Sequence, residues 1–176
     1  MKKILIVVDM QNDFIDGSIG TKEAVGIVDR VAEVMDSFDG AVICTRDTHF
    51  ADYLETSEGR KLPVEHCIEG TKGHALQDTI QKMAEKKQAV VMNKITFGAK
   101  NLPEEIEKLA GGVPEFIELV GLCTDICVIS NAMLLKAFYP EVPISVDASA
   151  CAGVTPQSHK NALEAMKMCQ IDIVNE

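Results

Sequence analysis

Lys3-Ile4-Leu5-Ile6-Val7-Val8-Asp9 is the stretch on which the fold turns. It is apolar without alternation and ends on a carboxylate, as a strand does when both of its faces are buried in a parallel sheet. Working outward, similar runs recur at 41–45, 89–92, 116–120, 144–146 and 171–174. Amphipathic stretches separate them. Residues 21–38 place Ala24, Ile27, Val28, Val31, Val34 and Met35 on one helical face, and further helical patterns lie at 74–85, 103–110, 125–138 and 156–168. Strand and helix in alternation predict an α/β protein with a parallel sheet covered by helices on both faces. The 176 residues suffice for one such domain, 1–176, with no linker, repeat or low-complexity segment inside it.

Composition narrows the function. Seventeen basic against 27 acidic residues give a net charge of −10, which opposes a phosphate-binding track and docking to an anionic membrane. No apolar run approaches a membrane span. The basic start at Met1-Lys2-Lys3 precedes only a short apolar run without a small-residue cleavage site, so it is not expected to be a signal peptide. The six cysteines are scattered through apolar stretches, and free thiols in a reducing cytoplasm are the expected state.

In open parallel sheets ligands bind beyond the carboxyl ends of the strands. The residues just past the predicted strands are Asp9, then Asp47 and His49, then Lys94, then Gly121-Leu122-Cys123-Thr124-Asp125-Ile126-Cys127. Singly, Asp9 reads as a turn residue and Lys94 as a solvated amine; together they converge on one edge. Cys127 lies about one turn into a helix expected to be capped by Thr124, where the helix dipole would favour a thiolate, although a small core hydrophobe is the plainer reading. Cys44, Cys67, Cys151 and Cys169 read as core thiols. Asp47 and His49, two apart in an extended segment, point the same way and can grip one ion with His66. A plain Asp–His hydrogen bond is the alternative. His74 reads as a helix-start residue and His159 as a surface residue. The longest irregular stretch, 48–73, carries His66, and loops of that length in a compact domain are usually functional.

Five blocks carry a family resemblance: Val8-Asp9-Met10-Gln11-Asn12-Asp13-Phe14, Thr45-Arg46-Asp47-Thr48-His49, Glu65-His66-Cys67-Ile68-Glu69-Gly70-Thr71-Lys72-Gly73, Lys94-Ile95-Thr96-Phe97-Gly98-Ala99 and Gly121-Leu122-Cys123-Thr124-Asp125-Ile126-Cys127-Val128. In this order they resemble the isochorismatase-like cysteine hydrolases, and within that superfamily the nicotinamidases. The resemblance implies a three-layer α-β-α Rossmann-like fold with six strands in the order 3-2-1-4-5-6. It implies a catalytic triad on Asp9, Lys94 and Cys127, and a cis peptide before Cys123 that turns the amides of Cys123 and Cys127 into an oxyanion hole. It also implies one divalent ion, zinc or else iron or manganese, on Asp47, His49 and His66, a set that isochorismatases lack. Glu55 or Glu58 would be a further ligand.

The implied reaction is hydrolysis of a small amide, nicotinamide to nicotinate and ammonia, through a thioester on Cys127, in a cytoplasmic enzyme of pyridine nucleotide salvage that forms a homo-oligomer. The alternatives are a family hydrolase acting on another amide or an ether, and a non-catalytic metal- or nucleotide-binding module. Against the last, no Gly-rich phosphate loop comes after the first strand. The chain departs from the family in one respect. It has no tryptophan to stack on a pyridine ring; Leu62-Pro63-Val64-Glu65 stands before His66, leaving Phe14 as the expected wall, with Phe97, Phe50 or Tyr53 to help.

Overall fold

Strand β1, Lys3–Val8, forms the centre of a six-stranded parallel sheet in a computed structural model that describes residues 2–176. Met1, at the head of the basic N-terminal stretch, lies outside the described residues. The strands run β3–β2–β1–β4–β5–β6, the expected order. β2 is Ala41–Asp47, β3 Val90–Lys94, β4 Phe116–Leu122, β5 Ile144–Ala152 and β6 Asp172–Val174. Side chains alternate along β1, so Ile4, Ile6 and Val8 join one core and Leu5 and Val7 the other. The first core is completed by α6 (Leu102–Ala110), α7 (Ile129–Phe138) and α8 (Pro156–Met168). The second is completed by α1 (Asn12–Ile15), α2 (Lys22–Gly26), α3 (Val28–Ser37) and α5 (Asp78–Lys86). All five apolar residues of β1 from Ile4 to Val8 are fully buried, and each contributes ~1.5–3 kcal/mol relative to exposure.

The helix expected over 21–38 is two helices. Thr21 caps α2 by accepting from the Ala24 amide at 3.0 Å, Gly26 ends it, and Ile27 separates it from α3. All six residues assigned to its apolar face are nevertheless buried, because both pieces lie on the same side of the sheet. Strands β2 and β3 run on to Asp47 and Lys94, polar residues that still pair across the sheet although they break the apolar runs. The helix expected at 74–85 starts only at Asp78, after Gln77, whose side chain accepts from the amides of Thr79 and Ile80. The helix expected over 125–138 opens with a π turn, Thr124–Val128, in which the Val128 amide donates to the Cys123 carbonyl at 3.0 Å. The 48–73 loop is not structureless. It holds a short 3-10 turn, Tyr53–Glu55, and α4 (Ser57–Lys61), and returns to pair Ile68 with His49.

Strand order reverses between β1 and β4, and there the two backbones press together. Gly121 lies opposite Val8 with φ +113°, and any Cβ on it would strike the Val8 carbonyl oxygen. Only glycine fits both demands. Replacement of Gly121 by Ala is expected to lower unfolding free energy by ~1–3 kcal/mol. Gly26→Ala, inside α2 with open space at its Cβ, is expected to be neutral or to stabilise by up to ~1 kcal/mol. Urea denaturation of the two variants measures the contrast.

Candidate active site and metal centre

Four strand ends meet at this crossing point. Asp9 comes directly after β1 with φ +48°, a left-handed conformation that Asp tolerates better than most residues. Its amide donates to the Thr45 carbonyl at 3.2 Å, and the Thr45 hydroxyl donates to Asp9 Oδ1 at 2.7 Å. Lys94 ends β3 directly opposite Asp47, which ends β2. The buried Lys94 ammonium lies 2.7 Å from Asp9 Oδ2, 3.3 Å from Asp47 Oδ1 and 3.4 Å from Cys127 Sγ, and donates to the Thr96 carbonyl at 3.0 Å. Cys127 sits in the π turn after β4, beyond a cis Leu122–Cys123 peptide. Asp9, Lys94 and Cys127, expected together from sequence, are thus brought together.

The electrostatics correct one expectation. Cys123, not Thr124, precedes the turn as its cap, without a side-chain capping bond, and the turn is not the opening of a regular α-helix. Burial, reinforced by the Asp9 carboxylate, pushes the Cys127 thiol well above its ordinary value against the pull of Lys94. Burial and the Asp9 carboxylate thus act on Cys127 in the direction opposite to the dipole-stabilised thiolate expected from sequence. Burial also raises Asp9, with Asp47 adding to it and Lys94 opposing. Burial alone would lower Lys94, but Asp9, Cys127 and Asp47 outweigh it and keep the ammonium charged. The neighbouring Cys123 thiol is pushed up to about 12 by burial and then by Asp125.

Asp47 joins this group to a second one. Its Oδ2 lies 3.0 Å from His49 Nε2 and 3.7 Å from His66 Nε2, and Glu58 Oε1 lies 3.7 Å from each imidazole nitrogen. Asp47, His49, Glu58 and His66 present ligand atoms that all fall within 4.8 Å of one another. Donor atoms on an ion with bonds of ~2.0–2.2 Å stand about 3–3.5 Å apart, so this set fits a divalent metal with little rearrangement. The tautomer fits as well. His66 Nδ1 is 2.8 Å from the Val64 carbonyl, which can only accept, so Nδ1 carries the proton and Nε2 offers its lone pair. Asp9 and Asp47 flank one ammonium, and Glu58 adds a third carboxylate beside the imidazoles, an excess of acidic groups that favours a bound cation. The same excess shows in the proton affinities. Burial raises Glu58, aided by Asp47, and His49 is raised because Asp47 and Glu58 outweigh its burial. Of the two candidates for a further ligand, Glu58 is the one in reach; Glu55 lies on the preceding turn, outside the ligand group.

Phe14 lines the cavity above Cys127 and meets the His66 ring edge-on at 5.7 Å. Phe97 lines it too. Phe50 and Tyr53 do not. Phe50 is exposed, and Tyr53 is buried against the imidazoles of His49 and His66, centroids 4.6 and 5.0 Å away, with its hydroxyl donating to the Leu62 carbonyl. His74 starts no helix; it is buried, its Nε2 2.9 Å from the Thr48 hydroxyl. His159 is half-buried, its Nδ1 2.7 Å from the Thr124 hydroxyl. Cys44, Cys67 and Cys151 are core thiols as expected, whereas Cys169, the C-cap of α8, is exposed.

The residues that hold the site in place escaped the sequence reading. Gln11 clamps the end of β2: its Oε1 accepts from the Asp47 amide at 2.7 Å and its Nε2 donates to the carbonyls of Asp47 and His74. Asp13 accepts from the Cys67 amide at 2.7 Å and so anchors the segment carrying His66. Asn131, buried in α7, donates to the carbonyls of Cys127 and Phe97 and accepts from the Ala99 amide. It ties the turn of Cys127 to the loop after Lys94. The one signal for it was a lone amide inside the apolar helix Ile129–Phe138.

A thiol, a carboxylate and a buried amine at the crossing point of a doubly wound sheet, beside a metal-ligand group, define a class of α/β protein whose chemistry lies at its strand ends. The chain belongs to the isochorismatase family: the family model described as "Isochorismatase domain" matches residues 3–175. It is an isochorismatase-family hydrolase close to nicotinamidases at modest identity. A Bacillus subtilis isochorismatase family protein, PncA, is 30% identical over 174 residues, 93% of each chain. The nicotinamidase/pyrazinamidase of Mycobacterium tuberculosis is 27% identical over 190 residues, 98% of each. The crystal structure of a Pyrococcus horikoshii pyrazinamidase in complex with zinc superposes with TM-score 0.79 at 26% identity, covering all of both chains. No helix among the described residues is long and apolar enough to cross a membrane.

The charges at the site make two expectations measurable. Burial raises the Cys127 thiol most and the Asp9 carboxylate adds to it; removing the Asp9 charge takes away that second contribution while Lys94 still lowers the thiol. Asp9→Asn is expected to speed iodoacetamide labelling of Cys127 at pH 7, read by peptide mass spectrometry; slower or equal labelling contradicts the assignment of charge. Protein purified without a histidine tag is expected to hold about one divalent ion per chain by elemental analysis. His66→Ala is expected to lose most of it. Because both imidazoles must be unprotonated to bind, occupancy should fall as pH drops toward ~6.

Proposed function

We propose that this chain hydrolyses a small primary carboxamide of the nicotinamide type through a thioester on Cys127. The observation that carries the reading is the Lys94 ammonium, shared at 2.7 Å with buried Asp9 and at 3.4 Å with Cys127. A raised thiol beside a raised carboxylate suits proton transfer at the moment of attack, since raising the carboxylate makes it a better base for the thiol proton. Asp9 takes the Cys127 proton, and Lys94 stabilises the carboxylate and the developing thiolate. Sγ bonds to the carbonyl carbon, and the amides of Cys123 and Cys127 receive the oxyanion. The C–N bond breaks as Asp9 returns the proton to the departing ammonia. Water then adds to the thioester, the C–S bond breaks, and the acid leaves with the thiol restored.

Asp47, His49, Glu58 and His66 would hold a divalent ion, zinc in our reading, which supplies a positive charge for a substrate lone pair or a water. Phe14 would wall the acyl group. In this reading residues 1–176 form one catalytic domain working in a reducing compartment such as the cytoplasm.

Ammonia release from nicotinamide, with and without a chelator, tests the reaction. Cys127→Ala is expected to lower turnover at least about a thousandfold with the fold unchanged by circular dichroism, as loss of a covalent nucleophile does. Cys67→Ala and Cys169→Ala are expected to retain most activity. A thioester trapped by acid quench should appear on Cys127 by mass spectrometry; an adduct on Cys123 would replace the nucleophile assignment.

A further inference from the structure

The cavity above Cys127 is larger than the proposed chemistry needs. Its volume is about 690 Å³, within the ~300–1,000 Å³ that encloses drug-sized ligands, whereas a carboxamide on one aromatic ring is far smaller. Its lining includes the polar site groups Cys127, Asp47, Glu58 and His66. Much of the remaining wall is apolar: Ile19, Leu62, Phe97, Ile126 and Val154. Three of these are exposed, Leu62 and Phe97 at 41% and Val154 at 49%. They come from three separate places in the chain, the end of α4, the loop after β3 and the loop after β5, yet all open onto one cavity. Apolar side chains left wet around a single concavity mark the place where a ligand covers them.

We infer that the acyl group of the physiological substrate extends beyond one aromatic ring and is apolar at its far end, and that Leu62, Phe97 and Val154 bind that extension. The inference rests on the amidase reading of Cys127. A carbonyl carbon in reach of Sγ directs its amide nitrogen toward Asp9, so the acyl group is the part that continues along the apolar wall. A single ring would leave the outer wall hydrated. Leu62 sets the limit, because a larger side chain at this exposed wall position would fill part of the outer cavity.

The test compares kcat/KM for ammonia release from nicotinamide, quinoline carboxamide and pyridine carboxamides bearing a phenyl or butyl ring substituent. At least one extended amide is expected to exceed nicotinamide by about tenfold or more, the scale at which apolar pockets discriminate. Nicotinamide equal to or better than every extended amide overturns the inference and leaves the amidase reading standing. No ammonia from any amide overturns the amidase reading and the inference together. Leu62→Trp supplies the second arm. It should cut the ratio of extended amide to nicotinamide at least about tenfold, and an unchanged ratio overturns the assignment of Leu62. Calorimetric binding of the same amides to Cys127→Ala should keep the same order; equal affinities count against the inference.

Discussion

A lysine ammonium shut away from water is the constraint around which this molecule is arranged. An unpaired buried ammonium costs several kcal/mol, so Lys94 must find its counter-charges within the fold. It finds its partners on three different elements: Asp9 after β1, Asp47 at the end of β2 and Cys127 beyond β4. A sheet that sets β3, β2, β1 and β4 side by side in parallel brings those ends to one place. The pairing is thus a check on topology as well as a piece of chemistry. Moving β3 away from this half of the sheet would separate Lys94 from its partners and leave a charge buried alone.

Much of this was legible in the sequence because it depends on periodicity and on the residues at the strand ends. The unbroken run Ile4–Val8, buried on both faces, marked the central strand; Asp9, Asp47 and Lys94 marked the strand ends; the family blocks supplied strand order. The Asp47–His49 spacing is read directly from the pleat. The illegible part depends on contacts distant in the chain. Glu58 and Glu55 are equivalent as letters, and only the turn Tyr53–Glu55 followed by α4 brings one into the ligand group and leaves the other outside it. Gln11, Asp13 and Asn131 hold backbone groups from remote segments, and an amide's partners have no sequence period. The break at Ile27 was hidden because both halves of the stretch keep the same apolar face. The expectation of a dipole-lowered Cys127 meets an opposing influence that the sequence does not show. A helix terminus lowers a thiol where water also reaches it, but complete burial beside a carboxylate acts more strongly in the opposite direction.

The loop from Thr48 to Gly73 shows how the fold supplies order where the backbone pattern does not. Its two imidazoles are fixed from opposite sides. His49 forms an isolated bridge with Ile68 just beyond β2, its amide donating to the Cys67 carbonyl at 3.0 Å, and Cys67 is anchored in turn by Asp13. Tyr53 then packs against both rings, and its hydroxyl holds the Leu62 carbonyl at the far end of α4. The segment is irregular in dihedral angles but constrained at each ligand. Preorganisation of that kind reduces the ordering cost that an ion or substrate would otherwise meet on binding.

Asp47 is where the two halves of the site become one. Its Oδ1 faces Lys94 and its Oδ2 faces both imidazoles, so one carboxylate is a counter-charge to the amine and a member of the metal-ligand group. A second negative charge, Glu58, also lies against both imidazoles. The consequence is directional. Positive charge added among Asp47, His49, Glu58 and His66 draws on the same carboxylate that Lys94 uses, which leaves Lys94 more fully committed to Asp9 and Cys127. Positive charge held by the ligand group would therefore strengthen the field at the thiol without touching it. Where burial raises both Cys127 and Asp9, that added field would favour the charged thiolate.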